Sequence, residues 1–188
     1  MSRVLVFKSM SLDGYVAGPN VSADDPMGVG GERLHDWMFG DPVASTDEKV
    51  VADLRARAAA SVVGRRTFDL GLPHWKDVPF PGPSFVVTRE ARAPLAQAGG
   101  TFTFAPEPAE AVALAREAAG DGTVVLLGAE LSRRALAAGL VDEVLLSLVP
   151  ITLGGGAPLF DGTGDVTLRP AEVVGSPGVT HVRYEVVR

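Results

Sequence analysis

The feature that most constrains this chain is a change of rhythm along it. From residue 4 to about residue 138, short aliphatic runs alternate with stretches of helical period, and beyond that point strand patterns take over. Val4–Phe7, Ser61–Gly64, Phe85–Thr88, Thr101–Phe104 and Thr123–Leu127 are too short to be helices and read as buried strands. Between them, Glu32–Phe39 predicts a short helix with Leu34, Trp37 and Met38 on one side. Asp47–Ala60 predicts a longer one, with Thr46 as its cap and Val50, Val51, Leu54 and Ala58 as its apolar stripe. Pro106–Ala119 has proline near its start and Gly120 beyond its end, and Ala129–Ala138 is stopped by Gly139. Glu143–Val149 is then an apolar strand. The tail alternates strictly, Val182, Tyr184 and Val186 against His181, Arg183 and Glu185, which predicts a half-exposed antiparallel strand. One α/β architecture satisfies both halves: a mostly parallel central sheet with an antiparallel C-terminal edge and helices on both faces. No repeat or linker divides the 188 residues, so a single domain is expected.

Several function classes fall away. A net charge of −6 argues against a nucleic-acid surface, which needs concentrated positive charge. The absence of cysteine removes disulfide frameworks, thiolate metal sites and cysteine nucleophiles. His35, His74 and His181 lack metal-ligand spacing, and Ser9, Ser11 and Ser61 lack a nucleophile-elbow context. Asp142-Glu143 reads as a solvated turn rather than a glycosidase pair. No apolar stretch approaches the ~20 residues that span a bilayer, and Lys8 ends the N-terminal apolar run early, so no membrane partner and a cytoplasmic location are expected.

Three strand ends carry candidate chemistry. At Val62-Val-Gly-Arg-Arg-Thr-Phe68 a strand turns into a helix whose free N–H groups, with two guanidiniums and a hydroxyl, suit phosphate. The same stretch also reads as a solvated basic turn. Phe85-Val-Val-Thr-Arg-Glu90 repeats the pattern, and two such strands would put a basic pocket at one rim. In Val124-Val-Leu-Leu-Gly-Ala-Glu-Leu131, a small-residue turn lets backbone approach a diphosphate, or simply satisfies local sterics. Gly28-Val-Gly-Gly31 follows a polar segment instead of a strand and reads as a flexible loop able to close over a site.

Taken in order, these stretches resemble a known family. Ser9-Met-Ser-Leu-Asp-Gly-Tyr-Val-Ala17, Val-Val-Gly-Arg-Arg-Thr-Phe, Val-Val-Thr-Arg, Gly-Ala-Glu-Leu with Ala-Gly-Leu-Val-Asp-Glu-Val, and Pro150-Ile-Thr-Leu-Gly-Gly-Gly-Ala-Pro-Leu-Phe160 are similar to the riboflavin-biosynthesis reductase branch of the dihydrofolate reductase superfamily. The similarity runs from about residue 3 to 187. It implies a dihydrofolate reductase-like fold and an NADPH-dependent reductase of a small heterocyclic substrate. Hydride would pass to the carbon of a C=N unit, with 5-amino-6-(5-phosphoribosylamino)uracil as the model substrate, and a homodimer is implied. It assigns the 2′-phosphate and neighbouring phosphate to Gly64, Arg65, Arg66, Thr67, Thr88 and Arg89. The diphosphate and nicotinamide fall to Gly128, Ala129, Glu130 and Leu131. Asp13, Gly14 and Ala17 would border nicotinamide and substrate, and Leu153, Gly154 and Gly155 the substrate rim. Asp36 falls on the helix where dihydrofolate reductases carry a pterin-binding carboxylate and reads either as that group or, better, as a solvated aspartate, and Trp37 is either a stacking surface or core. Relatives pair two glycines before Ala-Glu-Leu, whereas this chain has Leu127-Gly128. A true dihydrofolate reductase, and a non-catalytic nucleotide-binding protein of the same fold, are the other readings.

Overall fold

The computed structural model describes residues 2–80 and 82–188. Among the described residues nine strands form one sheet: β1 (Arg3–Ser11), β2 (Ala58–Gly64), β3 (Ser84–Val87), β4 (Leu95–Gln97), β5 (Gly100–Ala105), β6 (Thr123–Leu127), β7 (Glu143–Val149), β8 (Leu168–Ser176) and β9 (Val179–Val186). Their spatial order is β4-β5-β3-β2-β6-β1-β7-β9-β8. The inner pairs from β5 to β7 are parallel, while β4 at one margin and β9 and β8 at the other are antiparallel. A short 3₁₀ turn (Gly31–His35) precedes five helices: α1 (Asp36–Phe39), α2 (Ser45–Arg57), α3 (Arg65–Trp75), α4 (Pro108–Ala119) and α5 (Ala129–Ala137).

Both faces of the sheet are buried, which is why the central strands are almost uniformly apolar. On one face Val4, Val6, Val62, Val124 and Leu126 meet Ala111, Val112 and Ala115 of α4 and Leu131, Ala135 and Leu136 of α5. The small residues of α4 let that helix lie close to the strands. On the other face Leu5, Val125 and Leu145 meet Leu54 of α2. Further along that face, Val63, Val86 and Phe102 meet Phe68 of α3. Each fully buried aliphatic or aromatic side chain contributes about 1.5–3 kcal/mol relative to exposure.

Four local expectations are corrected. Thr46 does not cap α2, which begins after Ala44 with no side-chain cap. Ala58 to Ala60 belong to β2 rather than to that helix, because backbone pairing of Ala58 and Ala60 with β6 outweighs the helix propensity of alanine. β1 runs on to Ser11, past the expected loop start at Ser9, since β7 pairs with it as far as Val149. His181 is not on a solvated face. It is 2% exposed, with Nδ1 2.9 Å from Ser147 Oγ and Nε2 3.0 Å from Asp47 Oδ1, and its ring meets that of Trp37 edge-on with centroids 4.8 Å apart. Burial does not alternate along β9, because Trp37 of α1 and Asp47 of α2 cover the face that His181 occupies.

Candidate active site

Every inner parallel strand delivers its carboxyl end to the same rim of the sheet. Asp13 and Gly14 follow β1, Arg65 to Thr67 follow β2, Thr88 and Arg89 follow β3, Gly128 to Leu131 follow β6, and Leu153 to Gly155 follow β7. β1 and β2 pass to helices on one face, whereas β6, lying between them, passes to α5 on the other. Adjacent strands whose connections leave to opposite faces open a crevice at their carboxyl ends, the place where open α/β sheets take ligands.

The turns after β2 and β6 touch. Gly128 has φ 106°, and a Cβ there would fall 2.5 Å from Thr67 Oγ1 and 3.7 Å from the Gly64 nitrogen. Only glycine satisfies both the dihedral and the approach. Leu127, where relatives carry a further glycine, turns its side chain among Val63, Phe68, Val86 and Phe102 on the α3 face, so the positive φ rests on Gly128 alone. Neither α3 nor α5 has a side-chain cap at its start. Two helix starts with free N–H groups therefore flank one cradle, and helix starts attract anions.

Guanidiniums surround that cradle, each already engaged. Arg66 donates to the Val21 carbonyl (2.8 Å), holding the loop after β1 against α3. Arg65 pairs with Glu90 (2.7 Å) and Asp69 (3.3 Å), tying the β2 turn to the β3 turn. Arg89, with an 83% exposed side chain, pairs with Glu107 (3.0 Å), and Arg134 pairs with the same carboxylate (2.8 Å). Arg89 in the first place, with Arg134, holds Glu107 below the usual carboxyl range. Arg92 bridges Asp69 and Glu90 and lies over the Phe68 ring. Asp69, Glu90, Arg92, Glu107 and Arg134 were not singled out from sequence. The four-residue step from Arg65 to Asp69 was the available signal. The rest depended on knowing which strand ends are neighbours.

On the opposite side of the crevice, Asp13 is a clasp. Its carboxylate accepts from Ser11 Oγ (2.6 Å) and from the backbone N–H groups of Leu153 (3.1 Å) and Gly154 (2.7 Å). Those bonds, led by the Ser11 hydroxyl, lower its pKa. The Leu159 N–H donates to the Gly14 carbonyl and the Ala157 N–H to that of Ala17, so the β1 and β7 loops are bonded to each other. Gly155 lies open beside the clasp. The glycine segment 28–31 closes on the same loop. Gly18 donates to Met27 and Val29 to Pro19, and a Cβ at Gly28 would meet the Gly18 carbonyl at 2.4 Å. It is a self-bonded turn, which corrects the expectation of a flexible one.

Asp36 and Trp37 lie apart from the cradle. They border a concavity of about 540 Å³ with Arg33, Val149 and Ile151. Asp36 is exposed, and its carboxylate makes no hydrogen bond among the described residues. The Trp37 ring is buried, with its N–H donating to Ser9 Oγ (3.0 Å) and its edge on His181. Glu130 is exposed in the first turn of α5, while Leu131 packs inward and Ala129 sits half-buried.

One residue that sequence reasoning passed over lies in the crevice itself. Pairing of β1 with β6 stops at Val6–Leu126, although β1 continues along β7 to Ser11 and β6 along β2 to Leu127. Across this split, Lys8 Nζ donates to the carbonyls of Phe7 (2.9 Å) and Leu126 (3.0 Å). No carboxylate pairs with it among the described residues, and burial lowers its pKa to about 7. A lysine in the first strand gives no sequence signal beyond the end of an apolar run.

Comparison with known proteins shows the family and the fold. The family model of the RibD C-terminal domain matches residues 3–181. No curated protein matches the sequence. Among solved structures, a protein of Shewanella sp. PV-4 assigned to riboflavin biosynthesis is similar at 24% identity and TM-score 0.75, over 99% of each chain. The diaminohydroxyphosphoribosylaminopyrimidine deaminase/5-amino-6-(5-phosphoribosylamino)uracil reductase of Thermotoga maritima is similar at 15% identity and TM-score 0.65, over 99% of this chain and 57% of that one. Dihydrofolate reductase of Enterococcus faecalis, complexed with NADP(H), is similar at 14% identity and TM-score 0.57, over 98% and 96%. At these identities the structural likenesses show the fold, which is that of dihydrofolate reductase.

Proposed function

Because the chain belongs to the RibD C-terminal domain family, we propose that it is a cytoplasmic, NADPH-dependent reductase of a small heterocycle, of the riboflavin-pathway type. The observation that carries this reading is the cradle where Gly128 packs on Thr67 between two uncapped helix starts, with Arg65 and Arg66 opening α3 and Arg89 following the neighbouring β3. Its donor chemistry suits a cofactor bearing both a diphosphate and a 2′-phosphate. When bound, NADPH supplies the hydride.

The chain's own part is orientation. The Gly64–Thr67 and Gly128–Leu131 turns would hold the diphosphate by backbone N–H groups. Arg65 and Arg89 would bind the 2′-phosphate by exchanging part of their contact with Glu90 and Glu107. Asp13 would keep the loops after β1 and β7 at a fixed separation, so that Gly14, Ala17 and Leu153 to Gly155 border the reacting heterocycle. The model substrate is 5-amino-6-(5-phosphoribosylamino)uracil. A homodimer would join through the β8 edge, where Val173 is 64% exposed, and light scattering reads its mass directly.

The test is a calorimetric titration with NADPH and NADH. NADPH is expected to bind at least about tenfold more tightly, and Arg65→Ala, Arg66→Ala or Arg89→Ala each to remove about 1–2 kcal/mol of that preference. Binding of neither nucleotide overturns the reductase assignment.

A further inference from the structure

The pairing of β1 with β6 ends at Val6–Leu126, short of the carboxyl rim that β1 reaches along β7. A split ladder leaves main-chain carbonyls without partners, and here both Phe7 and Leu126 give theirs to the ammonium of Lys8. That arrangement places a cation, without a counter-ion, between the cradle after β6 and the loop clasped by Asp13. Two of the three ammonium protons are held by carbonyls, and the side chain is still partly exposed, so one proton remains to face a ligand. From the 3₁₀ turn, His35 is a titratable group that feels the charge of Lys8. Its own pKa is lowered by burial first and by Lys8 second, against the opposing Asp36.

We propose that Lys8 is a catalytic residue of the reductase reaction, the group that protonates the substrate nitrogen as the neighbouring carbon accepts hydride. The inference rests on the reductase reading above. In the step, the C=N carbon gains hydride and is reduced, and its π pair moves to nitrogen. That nitrogen forms an N–H bond with a proton from Lys8 Nζ. The Nζ–H bond breaks toward the lysine, which is left a neutral amine and regains a proton from solvent on its exposed side. A lysine suits this task at neutral pH only if it gives up its proton readily, and burial has moved Lys8 into that range. As the ammonium is the working form, turnover is present below pH 7 and lost as pH rises through about 7.

Two measurements test this. The chain has three lysines, so competitive labelling with acetic anhydride, read by peptide mass spectrometry, compares Lys8 with Lys49 and Lys76 in one sample of the native protein. Lys8 is expected to react with a neutral half-point, and saturating NADPH to shield it while leaving the other two unchanged. If NADPH binds and Lys8 stays equally reactive, Lys8 lies outside the site and the proposal fails alone. If NADPH does not bind, the reductase reading fails first and takes the proposal with it. The second measurement is turnover of 5-amino-6-(5-phosphoribosylamino)uracil by the native protein, Lys8→Met and Lys8→Arg, with NADPH affinity measured alongside. Loss of kcat by about a hundredfold or more in both variants, with NADPH affinity kept and the decline near pH 7 gone, supports the assignment. A variant that retains native kcat and its pH profile overturns it.

Discussion

Two residues of the crevice, Lys8 and Gly128, each make a stability prediction separate from activity. The folded chain releases the Lys8 proton at about 7, whereas the ordinary value is 10.5. Between those values the unfolded chain binds more protons, so this residue makes stability rise with pH across that window. Urea midpoints of the native protein measured from pH 6.5 to 9.5 should climb more steeply than those of Lys8→Met, in which this contribution is gone. Gly128 is limited by geometry rather than charge. Gly128→Ala forces a Cβ onto Thr67 Oγ1 at a φ of 106°, and the expected loss is about 1–3 kcal/mol by thermal unfolding, with NADPH affinity reduced at least about tenfold.

The elements are joined by polar clusters that the sequence conceals. Asp47 of α2, His181 of β9 and Ser147 of β7 form a buried chain of hydrogen bonds, and Trp37 of α1 leans on it. His181→Ala would leave the Asp47 carboxylate buried without its partner, and a loss of about 2–4 kcal/mol in urea unfolding is expected. Asp13 joins loops instead of helices, and its lowered pKa fixes the sign of its pH response. The clasp holds above the ordinary value of 3.8 and is lost as pH falls through the lowered one. Hydrogen exchange should show the Leu153 and Gly154 amides protected down to that point and unprotected at every pH in Asp13→Ala. Periodicity made the buried strands and α4 and α5 legible, because both faces of the sheet require apolar runs. It missed β8 (Leu168–Ser176), whose largely exposed side chains carry no burial pattern, and β4 (Leu95–Gln97), which is too short to have a period. The turn motifs were legible from glycine, arginine and hydroxyl residues at strand ends. Lys8 and the acidic partners of the arginines were not, because their meaning depends on which strands are neighbours, and strand order is a property of the whole sheet.

For the molecule as a whole, the sheet has a ligand rim and an opposite, structural rim. At the structural rim Asp142 accepts from the Val4 N–H (2.8 Å), from Arg116 (2.6 Å) and from Arg188 (2.7 Å), while Arg116 also donates to the Ser2 carbonyl (2.7 Å). Asp142→Ala releases all three at once, and a drop of about 1–3 kcal/mol in thermal stability is expected with NADPH affinity unchanged, since the cradle lies at the far end of the strands. The same carboxylate gathers the first strand and the last residue of the chain into one place. Ser2 and Arg188 therefore lie at one rim of the sheet, facing away from the crevice. A second folded module attached at either end would extend from the floor of the enzyme rather than over its mouth, and the two ends could be sealed by a short linker and the ring reopened elsewhere without disturbing the site.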